Sequence, residues 1–278
     1  MADILVLGGG IIGLTAATRL RERGADVTVW AAHDEADTVS AVAAAAWYPT
    51  RTAFDPRVLA WAAATYTEFR RQARDEVPGV LVRPTRNLEL TGSGEPWWAP
   101  AAGEVRYGPA PEPWRREVRF DAPMVEMTTY LPWLRARIEA AGVPIVRRRV
   151  TTLDEALTEA PLVVNATGLA ARDLCDDPAV HPVRGQIALV ANPGLTESVR
   201  AESPDGAATY VHPRRHDVVL GGTYEEHVDT LEPDPATTAA ILARCTALVP
   251  ALRGAPVQAV RVGLRPARTG GARVAVEH

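Results

Sequence analysis

The sequence predicts a mixed α/β (α+β) protein, in which a Rossmann-like dinucleotide-binding domain is joined to a strand-rich second domain. Three observations predict it. The chain opens with a short apolar strand, a glycine run and a helix, ADILVLGGGIIGLTAATRL. A second isolated apolar strand, Leu162-Val163-Val164-Asn165, stops at Thr167-Gly168. Residues 181–225 alternate with period two, as half-buried strands do. At 278 residues and 47% hydrophobic content, the chain can bury the cores of one large or two ordinary domains.

The elements follow in order. Ile4 to Leu7 is apolar throughout, the mark of a parallel strand covered on both faces. The helix after it carries Leu14, Ala17 and Leu20 on one side, and Gly24 stands where a helix commonly ends. Val27 to Trp30 completes a βαβ unit. Ser40 to Pro49 is Ala-rich and ends Trp-Tyr-Pro. Asp55-Pro56 reads as an N-cap followed by proline at the first helical position, opening a helix to about Glu76. Residues 83–121, rich in Pro, Gly and Trp, read as short strands and loops. A helix over Tyr130–Ala141 leads through Gly142 to a strand at Pro144–Val150. A helix over Pro235–Leu248 follows the strand-rich region, and Val257–Val262 and Arg273–Val276 read as strands.

Gly8, Gly10 and Gly13 form GxGxxG between strand and helix. The first glycine permits the tight turn, the second lets a pyrophosphate approach the backbone, and the third lets helix and strand pack closely. The helix N-terminus, at Ile11 and Ile12, offers amide donors and a positive dipole to the phosphates. The second strand should end in an acid for the ribose hydroxyls. Here it ends Trp30-Ala31-Ala32-His33-Asp34, so the acid is displaced to Asp34, with His33 beside it.

Composition excludes several chemistries. All 30 basic residues are arginine; the chain has no lysine. That removes Schiff-base enzymes, phosphate-loop NTPases and dehydrogenases built on a Tyr-x-x-x-Lys pair. A net charge of −4 gives no general attraction to nucleic acid or to anionic membranes. Cys175 and Cys245 form no CxxC, there is no HExxH, and neither a metal site nor a disulfide framework is read. Asp3 and the early glycines do not suit a signal peptide, and no stretch of apolar residues is long enough to span a bilayer. The expectation is a soluble, cytoplasmic protein.

Several further segments, in order along the chain, carry a resemblance. They are Thr38 through Ser40 to Trp47-Tyr48-Pro49, Ala122-Pro123-Met124-Val125 with Tyr130-Leu131-Pro132-Trp133-Leu134, and Val164-Asn165-Ala166-Thr167-Gly168. His181-Pro182-Val183-Arg184-Gly185-Gln186, Thr209-Tyr210-Val211-His212-Pro213, Gly221-Gly222-Thr223-Tyr224 and Gly263-Leu264-Arg265-Pro266 continue it. Together they resemble the D-amino-acid oxidase family over essentially the whole chain.

The resemblance implies FAD as cofactor, with its ring between the two domains. It implies oxidation of a D-amino acid, by hydride transfer from Cα to flavin N5, to an imino acid that hydrolyses to a 2-oxo acid and ammonia. Oxygen is then reduced to hydrogen peroxide. Arg265 resembles the family's clamp on the substrate carboxylate, and arginine suits that task because its planar fork meets a carboxylate bidentately. Tyr210 resembles a tyrosine that donates to the same carboxylate, and Tyr224 a second active-site tyrosine. No general base is demanded if the neutral amine binds, because positioning supplies much of the rate. The cofactor set implied is Gly8, Gly10, Ile11, Ile12, Gly13, Asp34, Thr38, Ser40, Ala45, Ala46, Val150, Thr167 and Gly168. Arg261, Arg268 and Arg184 are read as solvated or structural, and Trp97, Trp98 and Trp114 as packing.

The domain boundaries expected are 1–55 and 140–185 for FAD, and 56–139 and 186–278 for substrate. Family members carry a further strand, a flavin-contacting loop and a last helix beyond the position of His278. The expectation is therefore a dinucleotide domain truncated at its C-terminus, with weakened FAD binding and stability. The partners expected are a small D-amino acid and oxygen, with no nucleic acid and no membrane; a homodimer stays open. Glycine or sarcosine oxidation, or D-aspartate oxidation using His212, Arg214 or Arg215, remain variants of the same chemistry. A nicotinamide-dependent dehydrogenase and a non-catalytic dinucleotide-binding protein are the alternatives outside it.

Overall fold

The computed structural model describes residues 2–44, 46–49, 52, 54–203 and 208–277. Two sheets organise the chain. The smaller is built from β1 (Ile4–Leu7), β2 (Val27–Ala31), β3 (Ile145–Arg147) and β4 (Leu162–Asn165), in the order β3-β2-β1-β4. All its pairings are parallel, with Ile4 opposite both Val27 and Leu162.

Helix α1 (Ile11–Glu22) fills the crossover between β1 and β2 and buries Leu14 and Ala17 against Val6, Val27 and Val29. Helix α2 (Met127–Ala140) packs on the same face through Tyr130, Leu131, Leu134 and Ile138. Leu5, Leu7 and Trp30 point to the other face, where Ala156 and Ala160 cover them. A parallel strand covered on both sides needs this unbroken apolar run.

The larger sheet has nine strands. They are β5 (Val80–Glu89), β6 (Arg106–Gly108), β7 (Arg116–Val125), β8 (Val180–Ala191), β9 (Ser198–Glu202), β10 (Ala208–Pro213), β11 (Asp217–Gly221), β12 (Glu225–Glu226) and β13 (Val257–Arg268). The order is β12-β8-β11-β10-β9-β5-β7-β6, with β13 also pairing β8. Helix α3 (Pro56–Arg74) packs against β5 and β7. Its N-cap is Asp55, whose carboxylate accepts from Arg57 N at 2.7 Å. Helix α4 (Pro235–Leu248) covers β8, β10 and β11 through Ile241 and Cys245.

Four local expectations are corrected. Two long strands, β5 and β7, run into residues 83–121 from either end and pair antiparallel over ten positions. Pro84 and Pro123 disguise them, because proline within a run argues against a strand. Both are tolerated here because Pro84 lies outside the Thr85–Leu88 pairing with β9, and Pro123 lies beyond the segment of β7 that pairs β6. The helix expected from Tyr130 starts at Met127, with Pro132 inside it. The strand at 144–150 shrinks to Ile145–Arg147, and Arg273–Val276 is not a strand.

The expected division at residue 185 falls inside β8, which belongs wholly to the large sheet. Among the described residues no helix is long and apolar enough to cross a membrane.

Candidate active site

An elongated cavity of about 680 Å³ starts at the C-terminal ends of β1, β2 and β4 and reaches Arg265 and Pro266 on β13. Ligands of open parallel sheets bind at this end of the strands. Gly8, Gly10, Ile11 and Ile12 form its first wall. Gly8 has φ +119° and lies against the Ala166 backbone, leaving no room for a side chain. Gly13 faces away from the cavity; a Cβ there would collide with the Gly8 carbonyl. Its role is the close contact of helix and strand.

Thr38, Ser40, Ala46, Val150, Thr167 and Gly168 line the same cavity. Ser40 Oγ accepts from Ile11 N at 3.1 Å, which ties the start of the helix to the following segment. Thr167 is held by Asn165 Oδ1, which accepts from its amide (3.1 Å) and hydroxyl (2.7 Å). Ala45, expected in the cofactor set, lies outside the described residues.

Asp34 does not line the cavity. It is solvent-exposed and paired with Arg147 at 2.6 Å, and that hydrogen bond holds its carboxyl below the usual range. The cavity end near β2 is instead lined by Ala32, His33 and Arg149, with Arg149 Nη2 3.4 Å from His33 Nε2. Beside them Arg148 lies over the Trp30 ring at 3.8 Å. The sequence alone does not point to either arginine, because both directly follow β3, more than a hundred residues away in the chain.

A second cavity of about 390 Å³ adjoins the first, and both are lined by Arg265, Val39, Ala43 and Ala46. The second holds Tyr210 and Tyr224 as well, so the structure gathers the three catalytic candidates. Arg265 stands opposite Val183 in the β8–β13 ladder, and its Nη1 donates to the Thr223 carbonyl at 3.3 Å. Its guanidinium occupies the space that a Cβ on Gly185 would need. Tyr210 lies in the corresponding space at Gly221 and Gly222; a Cβ on Gly222 would sit 2.7 Å from the Tyr210 hydroxyl. These two glycine sites let β8 and β11 carry a guanidinium and a phenol flat on the sheet.

Burial pushes the Tyr210 hydroxyl above its ordinary value, outweighing the opposite pull of Arg265 and Arg200. The phenol therefore stays protonated and able to donate. Tyr210 stacks on His212 (centroids 4.7 Å apart, interplanar angle 18°). Burial, reinforced by Arg200, lowers His212 well below the ordinary histidine value, so it is neutral. Its Nδ1 is 2.7 Å from Ser198 Oγ.

The other basic candidates are engaged elsewhere. Arg214 is bound by Asp217, the exposed Arg215 side chain lies with its Nε 4.0 Å from Glu126 Oε2, and Arg268 pairs with Asp177 at 2.8 Å. Arg184 is buried and held by Glu225, Gln186 and two backbone carbonyls, a structural network. Arg200, which sequence reasoning passed over, lines the second cavity.

The chain matches the FAD dependent oxidoreductase family (DAO) over residues 3–277. It is 47% identical over 272 residues to a D-amino-acid oxidase of Rubrobacter xylanophilus, covering 96% of this chain and 83% of that protein. It is 43% identical over 273 residues to a D-amino-acid oxidase of Streptomyces coelicolor, with the same coverage. The glycine oxidase structure from Geobacillus kaustophilus superposes with a TM-score of 0.78 at 20% identity, covering 100% of this chain and 86% of that one. This last likeness concerns the fold.

Proposed function

The chain belongs to the FAD-dependent oxidoreductase family, and from that premise we propose that it oxidises D-amino acids to 2-oxo acids, releasing ammonia and hydrogen peroxide. The observation that carries the reading is Arg265, the cation shared by the long cavity and the short one.

The long cavity suits FAD. Its glycine wall is a cradle with little room to spare, since a Cβ on Gly10 would come within 3.0 Å of Ser40 Oγ. Backbone amides at the start of α1 and the Ser40 hydroxyl would face the phosphates. Apolar walls at Leu7, Trp30 and Val150 would take the flat rings. FAD, when bound, supplies the hydride acceptor and passes the electrons on to oxygen.

The protein's own residues would do the rest. Arg265 would take the substrate α-carboxylate, a charge that needs a fixed counter-charge once water is excluded. Tyr210, protonated because it is buried, would donate to the same carboxylate. Two fixed donors would hold the carboxylate beside the long cavity, and such positioning supplies much of the rate. Tyr224 lines the same cavity and would stand beside the substrate. Among the described residues that line the short cavity there is no carboxylate, and its one histidine, His212, is buried and engaged with Ser198. The neutral amine is therefore the reactive form of the substrate.

The test is peroxide release by flavin-loaded protein with a panel of D- and L-amino acids. D-selective turnover that is lost in Arg265→Ala and kept in Arg268→Ala is expected. Peroxide from L-isomers alone, or from none, rejects the reading.

A further inference from the structure

The substrate cavity contains one histidine whose ring is only half engaged. His212 lies on β10 two residues after Tyr210, so both side chains stand on one face of the sheet. Their rings are stacked, with centroids 4.7 Å apart and an interplanar angle of 18°. His212 is 1% exposed, and it lines the cavity of about 390 Å³ that also holds Tyr210 and Arg265. Its Nδ1 is 2.7 Å from Ser198 Oγ, and Ser198 is fully buried. Among the described residues nothing is bonded to the other ring nitrogen, Nε2. With Nδ1 turned to Ser198, the far edge of the ring, which carries Nε2, is left to the cavity.

The position of the ring proton follows from Ser198. Its hydroxyl has one hydrogen to donate, and among the described residues Nδ1 is the acceptor it has. If Nδ1 carried the proton, the Ser198 hydrogen would be sealed in the interior without an acceptor, and buried polar groups are normally paired. Ser198 therefore donates to Nδ1. Burial, reinforced by Arg200, keeps the imidazole neutral. The one ring proton then sits on Nε2, facing the cavity.

The surroundings make this N–H selective. Val39, Val42, Ala43, Ala44 and Ile187 line the same cavity with aliphatic side chains. A donor in such a place costs free energy when it is left unpaired. The stack puts it one ring thickness from Tyr210, which would hold the substrate α-carboxylate, a span that a short side chain covers. A neutral donor is matched by a neutral acceptor, which brings no further charge out of water.

We infer that His212 is a specificity-determining residue whose Nε2–H donates to an uncharged acceptor, a hydroxyl or carboxamide oxygen, on the side chain of the D-amino acid. The inference rests on the D-amino-acid oxidase reading above and narrows it to substrates with short, polar, uncharged side chains.

The experiment compares pairs of similar shape, D-serine with D-α-aminobutyrate and D-asparagine with D-leucine. In the wild type, kcat/KM for at least one polar member should exceed that for its apolar partner. His212→Phe keeps a flat ring against Tyr210 and removes the donor, so it should cut that ratio by about tenfold. His212→Gln keeps a donor and should retain part of the ratio. Taking the ratio within each variant cancels any general loss of activity. A wild-type ratio of one or less for both pairs, or a ratio unchanged in His212→Phe, overturns the inference.

The ring tautomer is read separately. Nitrogen NMR of flavin-loaded protein labelled in histidine, with the His212 signals identified by their loss in His212→Gln, should show Nε2 protonated and Nδ1 bare at neutral pH. A proton on Nδ1 overturns the inference even where His212→Phe fails to fold. If no D-amino acid is turned over, the oxidase reading fails, and the tautomer still judges the donor on its own.

Discussion

Gly185→Ala separates position from stability at the carboxylate clamp. A Cβ on Gly185 would fall on Nη1, Nη2 and Cζ of Arg265, far inside ordinary contact. The guanidinium would have to retreat by roughly 1 Å or more to recover a normal van der Waals distance. That end of an arginine is mobile, and Gly185 has no left-handed backbone angle to strain. The fold therefore yields easily, and stability should change by less than about 1 kcal/mol. Binding cannot yield in the same way, because a bidentate contact fails when the fork shifts. Losing a charged hydrogen bond costs about 1.5–3 kcal/mol, which is roughly a 10- to 150-fold drop in kcat/KM. The assay is oxygen consumption with saturating and limiting D-amino acid, run beside a thermal melt. A kcat/KM within about twofold of wild type would refute the placement of Arg265 over Gly185 as the clamp. A large fall in Tm would refute the claim that the loss is local.

Other expectations follow from the same structure. Asp34→Ala should change the FAD Kd by less than about twofold, because Asp34 is off the cavity and paired with Arg147 at the surface, where ion pairs contribute little; fluorescence titration of the apoprotein with FAD measures it. His212 binds a proton less readily in the folded protein than in the unfolded chain, whose value is near 6.5. Its contribution is intact above that value and is lost as pH falls below it, by up to about 1.4 kcal/mol per pH unit. Thermal melts should therefore show acid destabilisation starting below pH 6.5 that is shallower in His212→Asn. Asp55→Ala removes the N-cap of α3 and should lower stability by about 1 kcal/mol in denaturant unfolding, with substrate KM unchanged.

What could be read before the structure was local. The glycine fingerprint is legible because Gly8, Gly10 and Gly13 act within one turn and one helix, at fixed spacing. Asp55-Pro56 marks α3 for the same reason. Arg265 and Tyr210 were legible only in the company of their neighbouring motifs, since a strand arginine alone says nothing of where its fork rests. The features missed depend on sheet register. Arg200 reaches the cavity because β9 pairs β10 and β5 in one alignment, and a slip of one residue would turn it to the opposite face. The end of the cavity near β2 is formed by His33 with Arg149, brought in by the β2–β3 pairing, while Asp34 turns outward to Arg147. The β5–β7 ladder was hidden by Pro84 and Pro123, whose tolerance depends on where neighbouring strands stop.

The central claim is that Arg265, at the junction of the two cavities, presents a D-amino acid to bound FAD. Anaerobic mixing of flavin-loaded protein with D-amino acids tests it most directly, because loss of the flavin's visible absorbance reports the transfer without requiring oxygen. The account predicts bleaching by D-isomers, none by the matching L-isomers, and strongly slowed bleaching in Arg265→Ala. Flavin that stays oxidised with every D-amino acid, or bleaching at the same rate in Arg265→Ala, would contradict it.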